Sequence, residues 1–88
     1  MTAALLVGYL MIQQGVFCGS AKTIAESLRH AREMVVGQGF SQVRGALLQL
    51  WASPAGGWTV IAVLPDGRAC LIDAGIGWEP APVLEKEG

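Results

Sequence analysis

The sequence predicts an α+β domain in which one helix packs on a three-stranded antiparallel β-meander, preceded by an apolar N-terminal segment. Three observations lead there. Residues 20–36 carry apolar side chains at helical spacing. Three later runs, 43–51, 58–64 and 68–73, are rich in aliphatic and aromatic residues and are separated by Pro/Gly turns. A chain of 88 residues, 52% hydrophobic and 15% charged, has the composition of a folded protein and room for one domain.

Residues 1–17 carry no charge. The run Ala3 to Ile12 has the length of a signal-peptide core and is too short for a membrane span. It lacks a preceding Lys or Arg, Gln13-Gln14 interrupts it, and Phe17 stands where a lipoprotein site takes a small residue. Two readings stay open for this segment. It is an export or membrane-anchoring element, or it is an extra structural element of the domain. Membrane contact is expected only through it. The domain proper is expected over 18–79, and 80–88 reads as a flexible tail.

The helix is expected from Ser20 to Val36. Ser20 is a candidate N-cap, with Thr23 to Glu26 as a competing capping box. Ile24, Leu28, Ala31 and Val35 form one stripe, and Glu26, Arg29, Arg32 and Glu33 fill the solvated arc. Gly37 ends the helix and Gly39 loosens the connection. Of the turns, Pro65-Asp66-Gly67 has the plainest mechanism. Proline fixes φ at its first corner and glycine supplies positive φ at its last. Ser53-Pro54-Ala55-Gly56-Gly57 reads as a loop by composition.

A register follows from these turns. With Pro65-Asp66-Gly67 as a three-residue loop, Ala62 opposes Cys70 and Val60 opposes Ile72. With Trp51 set opposite Trp58, Leu47 opposes Ala62. Alternation then sorts two faces. One carries Leu47, Trp51, Trp58, Val60, Ala62, Cys70 and Ile72. The other carries Leu48, Leu50, Ile61, Val63 and Leu71. Both are apolar, and one helix covers only one. The Leu48, Leu50, Ile61, Val63, Leu71 face is therefore expected to meet a second copy, another protein, or residues 1–17.

Cys18 and Cys70 admit three readings: a disulfide, two buried thiols, or part of a metal site. His30 is the only histidine, so zinc would be short of ligands, and no metal or cofactor is expected. Were the cysteines bridged, the helix start would be pinned to the Cys70 face, and the tryptophans would lie under the helix.

The net charge is −1, and the six basic residues form no stripe, which argues against nucleic acid. No Cys–His catalytic pair is signalled, and no carboxylate pair has acid/base spacing. Gly37-x-Gly39 and Gly75-x-Gly77 lack the strand–turn–helix setting of a phosphate loop. Trp51, Trp58 and Trp78 are candidates for stacking on a small ligand, though strand-end tryptophans more often fill a core. An enzyme is not expected.

The order Cys18–helix, Leu50-x-Ala52-Ser53-Pro54, Gly57-Trp58-Thr59, Pro65-Asp66-Gly67-Arg68-x-Cys70-Leu71 and Gly75-x-Gly77-Trp78-Glu79 resembles a group of small exported bacterial proteins with no assigned activity. The resemblance spans Cys18 to Glu79. It implies an exported, periplasmic location and a Cys18–Cys70 disulfide. The chain departs from that group in its signal segment and in a more apolar second strand, Val60-Ile61-Ala62-Val63, which leaves a cytoplasmic location as the alternative. The expected function is a non-enzymatic protein-interaction or self-association module. The alternatives are an exported or membrane-tethered accessory protein and a small-ligand binder using the tryptophans.

Overall fold

The computed structural model describes residues 17–81. The chain is α+β, but the expected three-stranded meander is corrected to a five-stranded antiparallel sheet. In chain order the elements are β1 (Phe17–Ser20), α1 (Ala21–His30), β2 (Met34–Ser41), β3 (Ala46–Ala52), β4 (Trp58–Val63) and β5 (Arg68–Gly75). The sheet order is β1-β5-β4-β3-β2. The expected meander is its centre, β3-β4-β5. Two further strands come from segments assigned otherwise: β2 from the end of the expected helix and the connection after it, and β1 from Phe17 through the expected helix cap at Ser20. Apart from Phe17, the expectation for residues 1–17 lies outside the described residues, as does the tail beyond Ala81.

The helix starts where expected and stops early. Ser20 is its N-cap, and its hydroxyl accepts from the Thr23 backbone N–H at 3.3 Å. Its end is set by Arg32, which takes φ 66°. The Arg32 N–H donates to the Arg29 carbonyl and the Glu33 N–H to the Leu28 carbonyl, both at 2.9 Å. This is a Schellman closure with arginine in the left-handed position that glycine usually occupies. Val35 and Val36, β-branched and freed from the helix, then fall into β2.

Two hairpin loops set the register, and they are built alike. In Pro54-Ala55-Gly56, the Ser53 N–H donates to the Gly57 carbonyl at 2.9 Å and Gly56 has φ 105°. In Pro65-Asp66-Gly67, the Leu64 N–H donates to the Arg68 carbonyl at 2.8 Å and Gly67 has φ 90°. The second loop places Ala62 opposite Cys70, as expected. The first places Trp51 opposite Thr59 and Ala52 opposite Trp58, one residue away from the expected register. A bulge between Val60 and Ile61 moves Asp73, not Ile72, opposite Val60.

The one-residue shift exchanges faces within β3–β4. Trp51, Ile61 and Ala69 form the buried cluster, with Ala21, Ile24, Ala25 and Leu28 of α1, and Val63 and Leu71, packed against it. Complete burial of Ile61 alone removes side-chain area worth about 1.5–3 kcal/mol from water. The opposite face carries Leu48, Leu50, Trp58, Val60, Ala62 and Cys70. The helix contacts β5 and β1 most, so it covers one side of the sheet and leaves the β2 side beyond its reach.

Cys18 and Cys70 are disulfide-bonded and lie directly opposite one another in β1 and β5. Their neighbours Ala69 and Leu71 face α1, so alternation puts the bridge on the far face. It therefore ties strand to strand. The helix start is held separately, by the Ala21 N–H donating to the Gly67 carbonyl at 2.9 Å.

Candidate functional site

The residues expected to form one interaction face are divided by the sheet. Leu48 and Leu50 are on the face away from the helix, whereas Ile61, Val63 and Leu71 pack under it. The tryptophans are likewise separated. Trp51 is buried beneath α1, with the Arg29 guanidinium 5.9 Å from its ring centroid. Trp58 lies on the other face, where its ring covers Gly75 and its Nε1–H donates to the Ile76 carbonyl at 3.3 Å. Trp78 is fixed at the β3–β4 loop, its N–H donating to the Gly56 carbonyl at 2.9 Å. The three indoles do not converge on one ligand space.

A shallow depression of about 250 Å³ is lined by Glu26, Arg29 and His30 at the end of α1, wide open to solvent. Among the described residues no group of three or more His, Cys, Asp or Glu side chains is placed to hold a metal. One half-buried ionisable group stands apart. The Glu33 carboxylate lies against Gly57, and its Oε1 has no hydrogen-bond partner among the described residues. Burial raises its pKa, and a weaker opposing pull comes from the Thr59 side chain.

The exposed apolar surface has a definite location. Among the described residues seven large hydrophobic side chains are exposed, and five of them, Met34, Val35, Val36, Phe40 and Val43, fall on β2 and the turn after it. Phe40 is 67% exposed. β2 ends the sheet, and beyond it no further strand pairs among the described residues. Its eight residues, Met-Val-Val-Gly-Gln-Gly-Phe-Ser, include no charge and no proline, two of the devices that protect an edge, while a bulge at Val36, between Val35 and Gly37, interrupts its first half.

An oriented chain of side-chain hydrogen bonds runs to this edge. The Trp51 Nε1–H donates to Gln49 Oε1 at 3.2 Å, and Gln49 Nε2 donates to Gln38 Oε1 at 3.0 Å. The indole can only donate, so it fixes the Gln49 amide, which in turn fixes Gln38. Among the described residues the Gln38 NH₂ is the terminal donor of this chain, on the outermost strand.

No family model matches the chain, and no curated protein or solved structure matches it. The site is therefore argued from its own geometry. Sequence reading missed β2 as a site because 34–36 continued the helical stripe and Gly37-x-Gly39 read as punctuation. The available signals were the paired β-branched residues Val35-Val36 and the alternation of Gln38 and Phe40 between glycines.

Proposed function

We propose that the protein is a non-enzymatic interaction module that binds an extended protein segment along the free edge of β2. The observation that carries this reading is the concentration of exposed apolar side chains on an uncharged eight-residue edge strand. An edge strand offers a row of backbone N–H and C=O groups that a second extended chain satisfies, while side-chain contacts on either face supply selectivity. The Cys18–Cys70 disulfide supports an oxidising compartment, and with it the exported location that the motif resemblance implies.

The test is a titration of the isotope-labelled, disulfide-bonded chain with a capped synthetic peptide of residues 34–41, followed by backbone amide chemical shifts. Binding at the edge shifts amides of β2 and β3 and leaves β1 and β5 unmoved. N-methylation of the peptide on the residues that face the edge abolishes the effect, because it removes the ladder donors. Shifts confined to β1 and β5, or equal binding of the methylated peptide, would defeat this assignment.

A further inference from the structure

We infer that the segment β2 accepts is the β2 of a second copy of this chain, paired antiparallel and centred on Gln38, so that two five-stranded sheets become one sheet of ten strands. This rests on the reading of β2 as a binding edge and adds the identity and register of its occupant.

The first argument comes from two glycines. Gly37 and Gly39 lie in β2 with no positive φ, and a Cβ built on either meets no atom within 4 Å. The fold of one chain therefore does not need glycine at these positions. Glycine there weakens a strand relative to alanine, because it loses more backbone freedom on folding. Glycine in a strand marks a bulge, as beside Gly37, or the close approach of another backbone, the role left for Gly39. A pairing centred on Gln38 sets Gly37 of one copy opposite Gly39 of the other, so both glycines of both copies fall at the seam. It also brings Phe40 to the Val35–Val36 bulge of the copy, an aromatic–aliphatic contact of the kind that stabilises adjacent strands.

The amide chain supplies the second argument. It is directed outward from Trp51 through Gln49 to Gln38, and it ends on a donor at the edge. Directly across the two-fold axis from Gln38 stands Gln38 of the copy, whose Oε1 retains one free lone pair beside the bond from Gln49. The hydrogen-bond chain then continues across the seam, and its polarity is satisfied by symmetry.

Closure is the third argument. Identical antiparallel strands are related by a two-fold axis perpendicular to the sheet, so the assembly stops at two and both α1 helices lie on the same face. An uncharged strand meets its own copy without like-charge repulsion. Among the described residues the opposite edge, β1, offers four residues, already tied to β5 by the disulfide.

The experiment is sedimentation of the full disulfide-bonded chain over a dilution series, alongside two variants. The wild-type chain is expected to show a reversible monomer–dimer equilibrium. Gln38→Lys places two like charges opposite one another at the axis and weakens the dimer by at least about tenfold, with the fold and the native disulfide intact. Gln38→Cys is expected to form a covalent dimer on mild oxidation, because directly opposed residues in antiparallel strands lie within disulfide reach. Val43→Cys, 97% exposed at the hairpin tip and away from the axis, is the control that forms no covalent dimer under the same oxidation. A chain that is monomeric at every concentration overturns the proposal, as does a dimer that ignores Gln38→Lys and fails to cross-link at position 38. A monomeric chain that still binds the 34–41 peptide ends the self-pairing and keeps the edge-binding reading, whereas a monomer that ignores the peptide ends both.

Discussion

The β1 edge and the β2 edge end the same sheet in opposite ways. β1 is four residues long, joined to β5 by the Cys18–Cys70 bridge, and α1 folds back over its side of the sheet. β2 is twice that length, seven of its eight residues are exposed, and no bridge or helix holds it. A short strand at an edge pairs weakly by itself, so the covalent tie and the helix serve to keep β1 in place. β2 needs no such tie because the hairpin to β3 holds its inner side, and its outer side is left without a charge or proline to repel another strand. The difference separates a half of the molecule that is tied covalently and covered by the helix from a half that ends on an open, apolar edge.

The largest expected effect lies in the stapled half. The bridge closes a sequence separation of 52 residues, which the chain-entropy account values at about 4 kcal/mol. Replacing both cysteines with serine should lower unfolding free energy by that order in urea. Amide exchange should show β1 losing protection first, with β2 and β3 retaining their native ranking. If β1 stays as protected as β4, the staple is not what fixes this edge.

Glycines sharpen the contrast at smaller magnitude. At Gly75 in β5, an added Cβ would lie 2.7 Å from Trp58 Cζ2, within the ring that covers it. Gly75→Ala should therefore cost about 1–3 kcal/mol by overpacking, and Trp58 fluorescence should change with it. At Gly37 and Gly39 the same substitution meets open space. In a Gln38→Lys background, Gly37→Ala or Gly39→Ala should leave stability unchanged or raise it by up to about 1 kcal/mol. A loss at Gly37 as large as that at Gly75 would mean that the single chain does need glycine there.

How much of this was legible in the sequence differs between the two halves for physical reasons. Pro65-Asp66-Gly67 gave its register directly, and Pro54-Ala55-Gly56 carries the same proline and positive-φ glycine two residues apart. Treating the second triplet as the first was treated would have set Trp51 opposite Thr59, and with it the true faces. The helix end was hidden because its left-handed position is filled by Arg32, where chain chemistry usually advertises glycine. With that stop unseen, Val35 fitted the helical stripe and β2 vanished. The pairing of Cys18 with Cys70 was reached through resemblance to exported proteins, since two cysteines alone leave a bridge, free thiols and a metal site open. The candidate edge was thus illegible for the same reason that the helix appeared too long.

Glu33 sits at the join between the two halves, just after the helix closure and just before β2. Burial raises its carboxyl above the ordinary value of 4.5, with the Thr59 side chain pulling weakly the other way. A raised native pKa means that the folded chain holds the proton more tightly than the unfolded chain. The stabilisation is full below the unfolded value and is lost as pH rises through the native one, so ionised Glu33 works against folding at neutral pH. Because the group is partly solvated, the effect is small, a few tenths of a kcal/mol. Glu33→Gln keeps the shape without the charge. It should raise stability slightly at neutral pH and flatten the fall that the wild-type chain shows as pH rises above the ordinary carboxyl value of 4.5. The check is the urea midpoint of both proteins across that rise in pH. A variant whose midpoint runs parallel to the wild type at every pH would show that the Glu33 carboxyl titrates as it does in the unfolded chain, and that the join between the helix-covered half and β2 carries no buried charge.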